Sequence, residues 1–411
     1  MTDLTQELQA RGLIEQSSAE PAKILSERRT VYLGIDPTAD SMHAGNLLGI
    51  LLMKRLADEG HKLVLLIGGG TGMIGDPKEK GERPLQDVRA IAHNKKAIRK
   101  QIQRILGRRV KVVDNADWLL KLKLLDFLRD IGKHFTVNEL VKRDIIKRRL
   151  ATENESISYT EFAYGLLQGY DYLVLNQRYG VDLQIGASDQ WTNILSGVEL
   201  IRRKLGREAY ALVTPLVTDA SGKKFGKSEG NAVWLDPEKT SPYAFYQFWL
   251  NQPDDLVGTY LKFFTFLSPI EIDLLVEMHL RNPGKRDAQK TLAREVTALV
   301  HGKEAARRAE TVSETLFGDR ELGTLAYDER ATLLAEAPSL NVVVGLPIVD
   351  ALTEGGLASS KGDARRLIEG KGVTLNNMPV TIPDEVLAGM HFTNGLALLR
   401  KGKRLCVLTL Q

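Results

Sequence analysis

The sequence predicts an α/β fold: a parallel sheet flanked by helices, then a helical region, then a small α+β module. Three observations carry this expectation. Short apolar runs closed by turn residues recur along residues 30–220 with helical stretches between them, which is the alternation of βαβ units. After Pro242 the strand-like runs stop and helical texture takes over. Residues 346–411 return to short helices and Val/Leu-rich strands separated by Asn-Asn, Gly and Pro turns. A chain of 411 residues is also too long for one ordinary core.

Each element follows from local pattern. "TVYLGID" (30–36) is apolar, short and closed by Pro37, as a buried strand is. From Met42 to Gly60, Leu47, Ile50, Leu51 and Leu56 recur at helical spacing and Gly60 supplies the stop. "HKLVLLIG" (61–68) is the second strand, reached by a right-handed crossover. "RRVKVVDN" (108–115), "VDLQIGAS" (181–188) and "AYALVTPLV" (209–217) are further strands, with helices expected over 118–135, 138–151 and 158–179. The expected domains are 1–234 (α/β), 235–325 (helical) and 346–411 (α+β), with 326–345 as linker. There is no internal repeat and no low-complexity run.

Composition narrows the function. Hydrophobic residues make up 43% and charged residues 26%, ordinary for a globular protein, and the net charge of +4 is compatible with a nucleic-acid partner without requiring one. Cys406 is the only cysteine and the seven histidines are scattered, which argues against a disulfide framework, a thiolate metal cluster and a zinc site. The first 29 residues lack the order of a secretory signal, and no run approaches the roughly 18 apolar residues of a membrane helix. The expectation is a soluble protein of a reducing cytoplasm with no membrane partner.

Five stretches carry candidate chemistry. "GIDPTADSMHAGN" (34–46) leaves a strand end and enters a helix, where ligands bind in open parallel sheets and where free N–H groups suit phosphate. Read alone, it is more simply a helix capped by Asp40 or Ser41 with His43 in the first turn. "GGGTGMIGDP" (68–77) lets backbone approach a ligand and ends in Asp76, or is simply a flexible turn; it matches no nucleotide-binding glycine signature. In "TEFAYGLLQGYDYL" (160–173), Tyr164, Gln168 and Asp171 share one helix face, lining either a polar pocket or a solvated surface. "LQIGASDQW" (183–191) ends a buried-type strand in Ser188, Asp189 and Gln190. "SGKKFGKSEGN" (221–231) gathers three lysines among glycines, suited to polyphosphate or merely an exposed basic loop.

Together these stretches resemble a known family. "YLGIDPTADSMHAGN" is similar to the His-x-Gly-His region of class I aminoacyl-tRNA synthetases, and "KFGKS" to their Lys-Met-Ser-Lys-Ser signature. In order and spacing, "GGGTGMIGDP", "LLQGYDYL", "LQIGASDQWTNI" and "KFGKSEGNAVWLDPEKTSPYAFYQFW" resemble the bacterial tyrosyl-tRNA synthetases from about residue 30 onward. "ASSKGDARRLIEGKGVTLNN" (358–377) resembles the S4-type RNA-binding module that ends those enzymes.

The resemblance implies a Rossmann-like catalytic domain, a helical tRNA-binding domain and an S4-like RNA-binding domain. It implies that Tyr32 and Asp171 read the tyrosine phenol, that Asp76, Tyr164 and Gln168 meet its ammonium, and that Gln184 lies toward its carboxyl end. Gly34, Asp36, Thr38, His43, Gly45 and Asn46 are implied on the ATP side, with Asp189 on the ribose and Lys224 and Lys227 on the departing pyrophosphate. Catalysis falls to His43, Asn46, Lys224 and Lys227 by position and charge, with Mg²⁺ accompanying ATP and no other cofactor. The chain departs from the pattern at Asn46, where the second histidine is expected, and at Phe-Gly in place of Met-Ser. Asparagine keeps a donor of similar reach but never carries charge. The family also implies tRNA as partner and a homodimer, with "FLRDIGKHF" (127–135) on the dimer face. Basic stretches at 95–109, 141–149, 365–372 and 399–404 are candidates for tRNA phosphates, or are solvated helix faces. A synthetase for tryptophan, or an RNA-binding protein that lost catalysis, is the alternative.

Overall fold

The central sheet is built from β1 (Gln16–Ser17), β2 (Thr30–Ile35), β3 (Lys62–Ile67), β4 (Val110–Asp114), β5 (Leu183–Ala187) and β6 (Tyr210–Thr214), in the order β1-β6-β5-β2-β3-β4. Every pairing among β2 to β6 is parallel, and only the two-residue β1 runs antiparallel, along β6. The five longer strands lie where the apolar runs placed them. β3 is buried at every position after Lys62, as a parallel strand covered on both faces must be. From β2 the chain moves outward to β3 and β4, then returns to the other side of β2 for β5 and β6. β2 and β5 are therefore neighbours where the order reverses, and a ligand crevice opens beyond the carboxyl ends of such strands. The computed structural model describes residues 3–77, 87–141, 143–219, 222–223, 225–228 and 231–411, with backbone alone at 108, 144, 145, 227, 228 and 231.

Helices α1 (Leu4–Ala10) and α2 (Pro21–Leu25) precede β2, α3 (Ala44–Asp58) joins β2 to β3, and α4 (Val88–Leu106) leads into β4. The helices expected across 118–135 and 138–151 are both broken. They become α5 (Ala116–Leu119), α6 (Leu124–Asp130), α7 (Val137–Leu140) and α8 (Asp144–Ala151). The apolar residues of 118–125 crowd all sides of a helix rather than one, and Thr136 restarts the chain by capping the Glu139 N–H. By contrast α9 (Tyr159–Tyr179) is continuous over 21 residues, as expected. Ser158 and Glu161 form a reciprocal cap at its start, and Gly180, with φ +66°, ends it. α10 (Trp191–Leu205) then joins β5 to β6, and the small hairpin β7 (Lys227–Ser228) and β8 (Asn231–Ala232) follows.

The chain divides into two units, residues 1–239 with 253–281, and residues 240–252 with 282–411. Of the next three helices, α11 (Pro242–Leu250) belongs to the second unit, while α12 (Asp254–Phe264) and α13 (Pro269–Arg281) belong to the first. The second unit continues with α14 (Asp287–His301), α15 (Lys303–Phe317) and α16 (Tyr327–Glu336). It ends in β9 (Ser339–Val342), α17 (Ile348–Glu354), α18 (Lys361–Glu369), β10 (Val373–Leu375), β11 (Met378–Pro379), β12 (Leu396–Lys401) and β13 (Arg404–Leu410). These strands form a second sheet, β11-β10-β12-β13-β9, over a core that includes Ile348, Leu352, Ile368, Leu399 and Cys406. The stretch 326–345, expected to be a linker, thus holds α16 and the parallel edge strand β9. No helix among the described residues is long and apolar enough to cross a membrane.

One buried polar cluster ties α12 to the Rossmann-like layer. Arg11 and Arg55 share the Glu7 carboxylate at 2.8 and 2.7 Å. Arg11 also donates to the carbonyls of Lys262, Thr265 and Leu267, and Arg55 to that of Thr265, which satisfies the end of α12. Arg55→Ala removes a charged donor from a site only 4% exposed. It is expected to lower the unfolding free energy by about 2 kcal/mol, read from urea midpoints at unchanged slope.

Candidate active site

The carboxyl ends of β2, β3, β4 and β5 bring a set of buried polar groups together. Tyr32 on β2 is fully buried, and its hydroxyl has no hydrogen-bond partner among the described residues. Its register partner on β5 is Gln184, whose amide approaches the hydroxyl without completing a bond and whose Oε1 is also buried and unpaired. Gln184, expected toward a substrate's carboxyl end, thus stands beside Tyr32. The Tyr172 ring meets that of Tyr32 edge-on at 5.4 Å. Burial, and then the Asp171 charge, push the Tyr32 phenol well above its ordinary range.

Asp171 is 1% exposed. It accepts from Asn115 Nδ2 at 2.9 Å and from Trp118 Nε1 at 2.7 Å. Burial raises its carboxyl to about 8 against the pull of those two donors. Asn115 continues the chain, donating to Thr71 Oγ1 at 2.9 Å and accepting from Gly70 N–H at 2.7 Å. Thr71 donates to Asp36 Oδ1 at 2.7 Å, and Tyr164 donates to Asp36 Oδ2 at 2.8 Å. Asp36, expected on a nucleotide side, is therefore tied to Tyr164.

Asp76 is held by Gln190 Nε2 at 2.8 Å and Asn193 Nδ2 at 3.2 Å, and burial raises it to about 6. Gln168 presents a buried, unpaired Oε1 one turn from Tyr164 on α9. A phenol, an amide oxygen and a carboxylate suit a primary ammonium. An unpaired hydroxyl beside a carboxyl suits a second hydroxyl.

At the other end of the crevice α3 begins. His43, its N-cap, accepts from Gly45 N–H through Nδ1 at 3.1 Å, which puts the ring proton on Nε2. Asn46 Oδ1 accepts from His43 N–H at 3.1 Å, so the amide's NH₂ is the part able to donate outward. Gly45 is required here: a Cβ would stand 2.5 Å from the Phe225 carbonyl and 2.9 Å from the His43 ring. The chain just after the lysine loop is pinned to this helix start. Ala44 N–H bonds Val233 O and Leu235 N–H bonds Met42 O, both at 2.8 Å. Phe225 packs on Tyr260 and Phe264, with centroids at 4.9 and 5.7 Å. Lys224 and the Lys227 side chain lie outside the described residues; the Lys227 backbone pairs with Ala232. Gly34, Thr38 and Asp189 are exposed at the strand ends. Among the described residues no group of three or more His, Cys, Asp or Glu gathers as a metal site.

Residues 25–318 match the family described as tRNA synthetases class I (W and Y). The chain is 47% identical to the tyrosine–tRNA ligase of Roseiflexus castenholzii, over 98% of both chains. It is 44% identical to that of Neisseria meningitidis serogroup C, over 97% of each. Among solved structures it is similar to a C-terminally truncated mitochondrial tyrosyl-tRNA synthetase from Aspergillus nidulans. That similarity has TM-score 0.69 at 29% identity and covers 77% of this chain and 95% of the other.

Sequence reasoning missed Asn115, Trp118, Thr71 and Asn193. Asn115 closes β4, so the rule that strand ends face the ligand points to it. Trp118 gives no sequence signal beyond its place in an apolar run.

Both raised carboxyls give stability a defined pH dependence. Each binds its proton more tightly folded than unfolded, so its contribution is full below the ordinary carboxylate range and declines as pH rises, to about 6 for Asp76 and about 8 for Asp171. Asp171→Asn should flatten the fall in urea-unfolding free energy up to pH 8, whereas Asp76→Asn should flatten it only up to about pH 6.

Proposed function

The chain belongs to the class I tRNA synthetases for tryptophan and tyrosine and acts as a tyrosine–tRNA ligase, and on that premise we propose how its residues divide the work. The reaction joins L-tyrosine and ATP into tyrosyl-adenylate and pyrophosphate, then moves the tyrosyl group to the terminal ribose of tRNA.

Tyr32 and Asp171 read the phenol. The observation that carries this is the buried, unpaired Tyr32 hydroxyl beside a carboxyl already fixed by Asn115 and Trp118. A phenol satisfies both groups, and phenylalanine leaves them buried without partners, a rule for which tyrosyl-tRNA synthetases are themselves the standing example. Asp76, Tyr164 and Gln168 hold the ammonium. Asp36 anchors Tyr164 as well as facing ATP, and Gln184 contributes at the phenol end.

ATP lies over Gly34, Thr38, Gly45 and the start of α3. Here His43 Nε2–H and the Asn46 amide donate to phosphate, and the helix N-terminus favours negative charge. Asp189 takes the ribose hydroxyls. The tyrosine carboxylate attacks the α-phosphorus in line and pyrophosphate departs toward Lys224 and Lys227. A ribose hydroxyl of tRNA then attacks the adenylate carbonyl and AMP leaves. No side chain forms a covalent bond; position and charge do the work. Mg²⁺ arrives with the ATP phosphates as part of the substrate.

Leu120, Leu124, Leu125, Leu128, Val137, Leu150 and Tyr159 are exposed within 40 residues of chain, which supports a homodimer face around 127–135. The second unit ends in an S4-like module, and its exposed Arg365, Arg366, Lys371 and Lys403 support contact with tRNA phosphates. A single buried thiol, Cys406, suits a reducing cytoplasm.

Asp171→Ala tests the phenol assignment. It is expected to lower kcat/KM for tyrosine in ATP–pyrophosphate exchange about 100-fold, the equivalent of roughly 3 kcal/mol, with KM for ATP unchanged within about threefold. Equal losses toward both substrates would overturn it.

A further inference from the structure

Arg143 lies in the basic stretch 141–149, expected to meet tRNA phosphates or solvent, yet it is buried, with only 8% of the residue exposed. Nη2 donates to Ser196 Oγ at 2.7 Å and Nη1 to Asn193 Oδ1 at 3.3 Å. Asn193 turns its other end toward the site, donating from Nδ2 to Asp76 Oδ1 at 3.2 Å. The amide oxygen thus faces a cation and its NH₂ faces an anion, a polarity that leaves one favourable orientation. α9 makes room for this arrangement. At Gly165, next to Tyr164, a Cβ would stand 1.7 Å from Arg143 Nη1.

We propose that Arg143 is a positioning residue for tyrosine activation: acting through Asn193, it orients the Asp76 carboxylate toward the substrate ammonium. The proposal rests on the assignment of Asp76 to that ammonium. Electrostatics agree with the geometry. Asp36, at the end of β2, and Asp189, after β5, both push the Asp76 proton affinity up, and the Tyr164 phenol of α9 also senses the Asp76 charge. Arg143, before α8, is the opposing cation coupled to Asp76. Burial brings the guanidinium itself down to about 10, so it stays charged through the working range. Removing it makes Asp76 easier to protonate, which moves the acid limb of tyrosine use to higher pH.

The test uses the full chain with Arg143→Gln, Gly165→Ala and Asp76→Asn. Tyrosine-dependent ATP–pyrophosphate exchange is followed from pH 5.5 to 8.5, together with inhibition by 3-(4-hydroxyphenyl)propionate, which lacks the ammonium. Arg143→Gln should raise KM for tyrosine about tenfold, leave kcat and KM for ATP within about threefold, and shift the acid limb upward. Inhibition by the desamino compound should stay unchanged. Gly165→Ala displaces the guanidinium without deleting its charge and should raise KM for tyrosine with a smaller limb shift. An Arg143→Gln protein with unmoved KM and limb, or with equal losses toward tyrosine and the desamino compound, overturns the proposal. If that variant does not fold, a wild-type KM for tyrosine in Gly165→Ala overturns it instead. Asp76→Asn separates the two claims: if it weakens tyrosine and the desamino compound alike, the ammonium assignment itself fails.

Discussion

Everything in the crevice depends on holding three carboxyl groups close together, Asp171 buried and Asp36 and Asp76 half-buried. Among the described residues their hydrogen-bond donors include Thr71 and Tyr164 for Asp36, Gln190 and Asn193 for Asp76, and Asn115 and Trp118 for Asp171, all of them neutral. Such donors orient a carboxyl without cancelling its charge. The cost appears in the raised proton affinities of Asp76 and Asp171. A ligand carrying an ammonium at one end and a hydroxyl at the other relieves both, so its recognition and the stability of the site are one problem.

The fold supplies the precision. Because β2 and β5 are neighbours at the reversal of strand order, Tyr32 and Gln184 arrive in register, and β3 and β4 deliver Thr71 and Asn115 to the same level. Packing the lysine loop onto the start of α3 requires Gly45, since any side chain there collides with the Phe225 carbonyl. At the far end of α3, Arg55 anchors α12, whose Tyr260 and Phe264 in turn receive Phe225. One helix therefore positions both the His43 cap and the hairpin that follows the lysines.

The α/β layer was legible because a parallel sheet buries continuous apolar runs, and those are the strongest local signal a strand can give. The Tyr164, Gln168 and Asp171 face was legible for the same reason, through helical spacing. Trp118 and Asn193 were not, and Asn115 was marked only by its place at a strand end. Their importance comes from hydrogen bonds to residues tens of positions away, which no local pattern encodes. The broken helices between 116 and 151 were hidden by leucines that satisfy any helical template. At Asn46 the sequence raised the right question, and the structure narrows it. The amide oxygen caps His43, so only its NH₂ remains to face phosphate.

The buried hydroxyl–carboxyl pair proposed to select the substrate by its phenol is Tyr32 with Asp171. Amino-acid-dependent ATP–pyrophosphate exchange by the unmodified protein, with tyrosine, phenylalanine and tryptophan compared at equal concentration, tests it most directly. Exchange with tyrosine is expected, and none above background with the other two. Comparable kcat/KM for phenylalanine would contradict it, because the unpaired pair would then have cost nothing.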